Sequence, residues 1–168
     1  MTLTIESILV PALTRTLGAM SGYLKKGEAY AVEKAFDPSV LMNARLSPDM
    51  HPLKRQVQMT SDTARRVLCQ LGEIEVASVA DTEETFEALQ LRVQSTLDFV
   101  NAFDCGKLKG AEERSITLPI GPNGLTLDAL PFLMGFGLPN LYFHAATTYN
   151  ILRNNGVPVG KMDFLGAP

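Results

Sequence analysis

Residues 50–71 read MHPLKRQVQMTSDTARRVLCQL. Met50, Leu53, Val57, Thr60, Ala64, Val67 and Leu71 recur at alternating spacings of three and four. At about 100° per residue, that spacing draws a single stripe along a helix. It is also the seam spacing of helices packed in a bundle. A start signal, SPD, stands just upstream and Gly72 closes the run. This segment therefore reads as one helix of a bundle, and the rest of the chain must supply its neighbours.

Upstream, Ile5, Ile8, Leu9, Ala12, Leu13, Leu17, Met20 and Leu24 line one face of a first helix. Pro11 falls early enough to be accommodated in it. The pattern runs through GEAYAVEKAF and stops at DPS, where Asp37 is placed to cap a short turn of helix opened by Pro38. Downstream, DTEETFEAL predicts the start of a third helix, with Asp81 or Thr82 as its cap and acidic residues suited to the helix dipole. Phe86, Leu89, Val93, Leu97 and Val100 form its apolar stripe.

The period then changes from helical to alternating. RSITLPIGPNGLTLDAL places alternating apolar residues on both sides of GPNG, where Asn123 and Gly124 tolerate positive φ. This predicts a short, exposed β-hairpin before a last helix that runs from about Ala129 to Gly156, kinked at Pro139. The expected architecture is all-α, an antiparallel four-helix bundle with a short hairpin before the last helix, forming one domain over residues 1–168. No internal repeat or low-complexity segment competes with that reading.

Composition agrees and excludes several functions. Fifteen basic and eighteen acidic residues give a formal charge of -3, with no basic stripe, so nucleic acid is not an expected partner. Cys69 and Cys105 lack C-x-x-C spacing, which argues for free thiols of a cytoplasmic protein. No signal peptide or membrane span is expected.

The last helix carries apolar residues on two sides. Met134, Leu138, Leu141, Ala145, Thr148 and Leu152 share the expected core side, while Phe132, Phe136 and Phe143 project from nearly the opposite one. A four-helix bundle covers one face of each helix, so the second must be covered by the hairpin, by the tail or by a second copy of the protein. A homodimer through the last helix is one expectation.

Two histidines set the limits on metal chemistry. His144 lies at the edge of the core stripe, and His51 falls in the expected first turn of the second helix. A catalytic zinc has three protein ligands plus water, so a carboxylate would have to join them, with Asp49 and Asp62 as candidates by position only. No H-E-x-x-H or paired E-x-x-H signature is present. Arg45 and Asp49 flank the turn into the second helix, and Lys161 and Asp163 lie in the tail; each pair either meets a small polar ligand or holds its own segment in place. Tyr149, beyond His144, either orients that ring and a ligand or packs as a core aromatic. Ser47 and Ser61 have no G-x-S-x-G context, and neither cysteine has an adjacent histidine.

The segments LMNARLSPDMHPLKRQVQ, DTEETFEALQLRV and LPNLYFHAATTYNILRNNGVPVGKMDFLG, in that order, resemble a bacterial family of unknown function within the DinB/YfiT-like superfamily. The likeness covers essentially the whole chain, and ILRNNGVPVGKMDFLG is its most specific part. It implies a four-helix bundle, commonly dimeric. Many superfamily members hold a divalent metal on three histidines, one from the second helix and two from the last, and some transfer low-molecular-weight thiols.

Here that pattern is broken, because Thr148 stands four residues after His144. What remains is a degenerate site of His144 with His51, for which a divalent ion such as zinc or nickel is the only cofactor left open. Two readings follow. One is a dimeric protein binding a small molecule, with Arg45, Asp49, His144 and Tyr149 as candidate ligand contacts. The other is a metal-dependent enzyme, a thiol transferase or hydrolase, in which the ion lowers the pKa of a nucleophile.

Overall fold

The computed structural model describes residues 3–166. Helix α1 (Ile5–Glu33) begins at Thr4, whose hydroxyl accepts from the Ser7 amide while Ser7 reciprocates at the Thr4 amide. After the short α2 (Ser39–Asn43), whose first amide donates to Asp37, the chain turns into α3 (Leu53–Leu71). Helix α4 (Phe86–Asn101) follows a long loop. Two 3-10 turns lead to the hairpin of β1 (Ser115–Leu118) and β2 (Leu125–Asp128), paired antiparallel with Ser115 opposite Asp128 and Leu118 opposite Leu125. The last helical run comprises α5 (Ala129–Phe132), a π-helical turn over Leu133–Gly137 and α6 (Leu138–Asn154), and α7 (Lys161–Leu165) closes the described chain.

The four long helices form the expected bundle. Helix α1 lies beside α4 and α6, and α3 completes the ring between them. Side-chain contacts fix the directions. Ser21 meets Gln90 while Gly27 faces Phe86, so α1 and α4 run antiparallel; Gln56 meets His144 while Thr63 meets Asn140, so α3 and α6 do as well. Helices α3 and α4 run parallel, with Asp62 against Arg92 and Arg65 against Phe99, which is why residues 72–85 must travel back along the bundle before α4 can start. The core is a continuous set of buried apolar residues from all four helices, including the predicted stripe of α1 and, from α3, Leu53, Val57, Ala64, Val67 and Leu71; Met50, expected on the same stripe, lies before the helix and outside the core. Among the described residues no helix is long and apolar enough to cross a membrane.

Several boundaries differ from the sequence expectation, each for a local reason. Helix α3 starts at Leu53, because the residue before a proline is driven out of helical conformation; His51 precedes Pro52 and therefore stands outside the helix rather than in its first turn. Helix α4 is capped by Thr85, which accepts from the Ala88 amide. Neither expected cap serves: Asp81 is instead paired with arginines, and Thr82 lies in the loop before the helix. In the hairpin connection, positive φ occurs at Gly121 and Gly124, not at Asn123. Ile116 and Leu118 are buried, so the hairpin is exposed on one face only.

The largest difference is in the last helix. Pro139 has no amide to offer the preceding turn, and the strain is taken up just upstream by the π-helical turn, which inserts one extra residue. An extra residue rotates everything before it by about 100° relative to α6. Leu138, Leu141, Ala145, Thr148 and Leu152 therefore face the core as expected, but Met134 is 53% exposed while Phe132 and Leu133 are fully buried. Helix α5 packs on the hairpin, and Phe136, half-buried, stacks on Phe132 at 6.1 Å between centroids. Only Phe143 of the three phenylalanines remains on the surface, at 55% exposure.

Candidate functional site

His144 is held by a chain of amide hydrogen bonds. Its Nδ1 lies 2.8 Å from Oε1 of Gln56, across the seam between α3 and α6, and both side chains are buried. The Gln56 amide nitrogen donates to the backbone carbonyl of His51 at 3.2 Å. That bond fixes which end of the amide faces the ring: an oxygen acceptor. Nδ1 must then carry the proton and donate, leaving the Nε2 lone pair for any further interaction. Pro52, by forcing His51 into an extended conformation, is what aims this carbonyl at Gln56.

Electrostatics keep the ring neutral. Burial lowers the pKa of His144 first, and the positive charges of His51 and Arg55 lower it further. The neighbouring Phe143 ring stands edge-on at 5.2 Å. Thr148, at the position where the superfamily pattern has its second histidine, donates its hydroxyl to the His144 carbonyl at 2.9 Å. Its proton is committed to its own helix backbone, and a neutral hydroxyl does not replace the imidazole nitrogen of the pattern.

The other predicted residues are dispersed. Arg45 donates to the Met50 carbonyl, and Asp49 accepts from the Ser47 hydroxyl at 2.6 Å, so both brace the turn between α2 and α3, and that hydrogen bond holds the Asp49 carboxyl below its usual range. They make no ion pair with each other. Tyr149 is five residues beyond His144, about 140° around the helix. It packs edge-on against Tyr23 of α1 at 6.2 Å and Phe164 of α7 at 5.7 Å, away from α3. Asp163 pairs with Lys26 at 2.6 Å and accepts from the Gly160 amide, which pins the tail to α1. Asp62 is engaged by Arg92. Among the described residues no three histidine, cysteine or acidic side chains come together to hold a metal ion.

Two features escaped sequence reasoning. The first is a buried guanidinium. Arg92, on α4, has a side chain only 4% exposed and meets Asp62 at 2.6 Å, Glu83 at 3.0 Å, Asp81 at 3.1 Å and the Ala80 carbonyl at 2.9 Å. Burial opposes the charge on Glu83, but hydrogen bonds from Arg92 and Gln58 outweigh it and hold that carboxyl below its usual range. The cluster fastens the 72–85 loop onto α3 and α4. Its trace in the sequence is the placing of Arg92 and Thr96 three and seven residues after Leu89, within the buried arc of α4.

The second feature is a groove of about 690 Å³ where α7 rests across α1 and α6. Pro11, Ala12 and Thr16 form one wall, Tyr142 and Ala146 the other, and Phe164 and Leu165 the end, with Arg15 at the rim. A smaller recess of about 230 Å³ continues from Ala146 and Phe164 to Tyr149, Asn150 and Lys161. The volume lies within the range of small-molecule sites, and the lining is mainly apolar with few polar groups. Sequence alone gave no sign of it, because α7 is a single short turn whose docking depends on tail geometry.

Residues 6–165 match a family described as a domain of unknown function, DUF1993. Among solved structures, the fold is similar to the crystal structure of a DinB family member protein from Shewanella denitrificans, with a TM-score of 0.89 and 36% identity over 95% of this chain and 90% of the other. No curated protein matches.

Proposed function

As the chain belongs to the DUF1993 family, DinB-like in fold and of unknown function, we propose that it is a cytoplasmic small-ligand-binding protein whose site is the groove between α1, α6 and α7. The observation that carries this reading is the joining of a mainly apolar, ligand-sized concavity to two cations, Arg15 and Lys161, that make no ion pair among the described residues. His144 and Gln56 act as a buried polar latch that holds α6 on α3 and so supports the wall that carries Tyr142 and Ala146. Arg45 and Asp49 serve the adjoining turn. The test is titration with 1-decanol, followed by calorimetry. The wild type should bind it saturably, and Ala146→Trp, which puts an indole into the groove, should not. Binding that survives the substitution, or none in the wild type, removes the groove as the site.

The working form in this reading is a homodimer built on the last helical run. Leu130, Met134 and Phe143 are 49–55% exposed there, none of them lines the groove, and apolar side chains exposed together mark association surfaces. Phe143→Glu should turn a dimer into a soluble monomer by light scattering. A wild type that is already monomeric ends this part of the reading.

A second reading, the metal-dependent enzyme, is favoured by one observation: Gln56, whose amide nitrogen donates to the His51 carbonyl, accepts from the Nδ1–H of His144 and leaves the Nε2 lone pair free. A divalent ion could bridge the two rings, with water completing its shell. Elemental analysis of protein purified without an affinity tag, beside His144→Ala, decides it. Stoichiometric metal lost with the imidazole supports the enzyme; absence of metal from the wild type sinks it.

A further inference from the structure

The charge around the groove is one-sided. The protein is acidic overall, with a formal charge of -3, yet neither the groove nor its continuation has a single carboxylate in its lining. Their charged groups are Arg15 at one end and Lys161 at the other. Both are exposed, and neither belongs to any ion pair among the described residues. The acidic residue of α7, Asp163, is neutralised by Lys26 on α1 and lines an adjoining recess that shares Arg15 with the groove. Between the cations lies an apolar strip from Tyr142 to Tyr149, about 10 Å along the α6 axis.

A ligand complementary to this surface has one anionic end and an unbranched apolar body. We propose that the groove takes a medium-chain alkyl monocarboxylate, the carboxylate on the Arg15 guanidinium and the chain along Ala12, Ala146 and Phe164 toward Tyr149. Arginine suits that end because its planar fork can meet both carboxylate oxygens at once. Lys161, at the far end, is an exposed and strongly hydrated point charge that stays in water beyond the alkyl terminus, so the ligand needs one anionic group rather than two. The assignment rests on the reading of the groove as the ligand site, and the following comparison separates the two.

Decanoate and 1-decanol share the alkyl body and differ in the head. Calorimetric titration of the full chain with each, in wild type and Arg15→Gln, should show decanoate bound at least about tenfold more tightly than decanol, a step of ~1.4 kcal/mol. Arg15→Gln should erase that preference and leave decanol affinity unchanged. Because Arg15 is exposed, the substitution does not threaten the fold. Raising ionic strength should weaken decanoate only. Decanol and decanoate of equal affinity overturn the carboxylate assignment while leaving the groove a ligand site. No binding of either overturns both. Binding of either that falls as protein concentration rises, together with dimer growth by light scattering, gives the groove to a second copy and also overturns the proposal.

Discussion

Gln56 and His144 meet across the α3–α6 seam at 2.8 Å, and neither has another side-chain partner for the atoms that touch. Removing one partner strands the other in the core. Gln56→Leu should lose about 1–3 kcal/mol of stability, the cost of leaving a buried N–H unsatisfied. A double substitution, Gln56→Leu with His144→Phe, replaces both polar groups by apolar ones and should recover much of that loss. Urea denaturation of the four species gives the coupling directly. Strict additivity of the two changes would show that the latch contributes nothing.

Arg92 presents a larger imbalance, because three carboxylates meet at one buried guanidinium. Arg92→Met keeps much of the volume but leaves Asp62 without its cation, Asp81 with Arg55 alone and Glu83 with only the Gln58 amide. The expected loss is about 3–5 kcal/mol, as for other buried ion pairs broken on one side. Limited proteolysis should then cut within residues 72–85, since the cluster is what fastens that loop. Arg92→Lys should recover only part of the stability, because an ammonium cannot serve three acids and a carbonyl in the same plane.

The same cluster sets an acid limit. Glu83 has its pKa held below the ordinary glutamate value of 4.5 by hydrogen bonds that outweigh burial. A carboxyl depressed in the folded state binds fewer protons there than in the unfolded chain. Its contribution to stability is therefore complete above pH 4.5 and is lost as pH falls through the lower folded value. Urea midpoints measured between pH 7 and pH 3 should drop along this limb. In Glu83→Gln the drop should be shallower, with a lower plateau at neutral pH. Parallel curves for both proteins would place the acid limb elsewhere, Asp163 being the next candidate because Lys26 depresses it in the same direction.

How much of this was legible depends on the range over which each feature is determined. The stripes of α1, α3 and α4 were readable because helical periodicity is local, and Leu53, Val57, Ala64 and Val67 are all buried. Asp37 at the start of α2 and Asp163 at the Gly160 amide were readable as holding their own segments for the same reason, whereas the Lys26 partner of Asp163, 137 residues away, was not. Met134 was misplaced because a face calculated at a constant 100° per residue cannot register an inserted residue, although Pro139 pointed to the right neighbourhood. His51 was placed one turn too far into α3 because the seam residue Met50 outweighed Pro52. His144 was correctly singled out, but its partner Gln56 lies 88 residues away on another helix, and an amide has no spacing signature. The groove depends on where α7 comes to rest, which only tertiary packing decides.

The π-helical turn offers the last test, because Gly137 sits where it brings the last helical run against α3. A β-carbon at Gly137 would lie 3.0 Å from Cγ2 and 3.2 Å from Cγ1 of Val67. Val67 is itself buried and branched at Cβ, so it has little freedom to turn away. Gly137→Ala should therefore destabilise by roughly 1–3 kcal/mol through overpacking, against the ~1 kcal/mol that alanine ordinarily gains over glycine in a helix. Trimming the neighbour separates these effects. In a Val67→Ala background the clash is gone, and Gly137→Ala should become neutral or stabilising by chemical denaturation. A glycine that is as costly to replace in that background as in the wild type would mean that the backbone of the turn, rather than its contact with Val67, requires it.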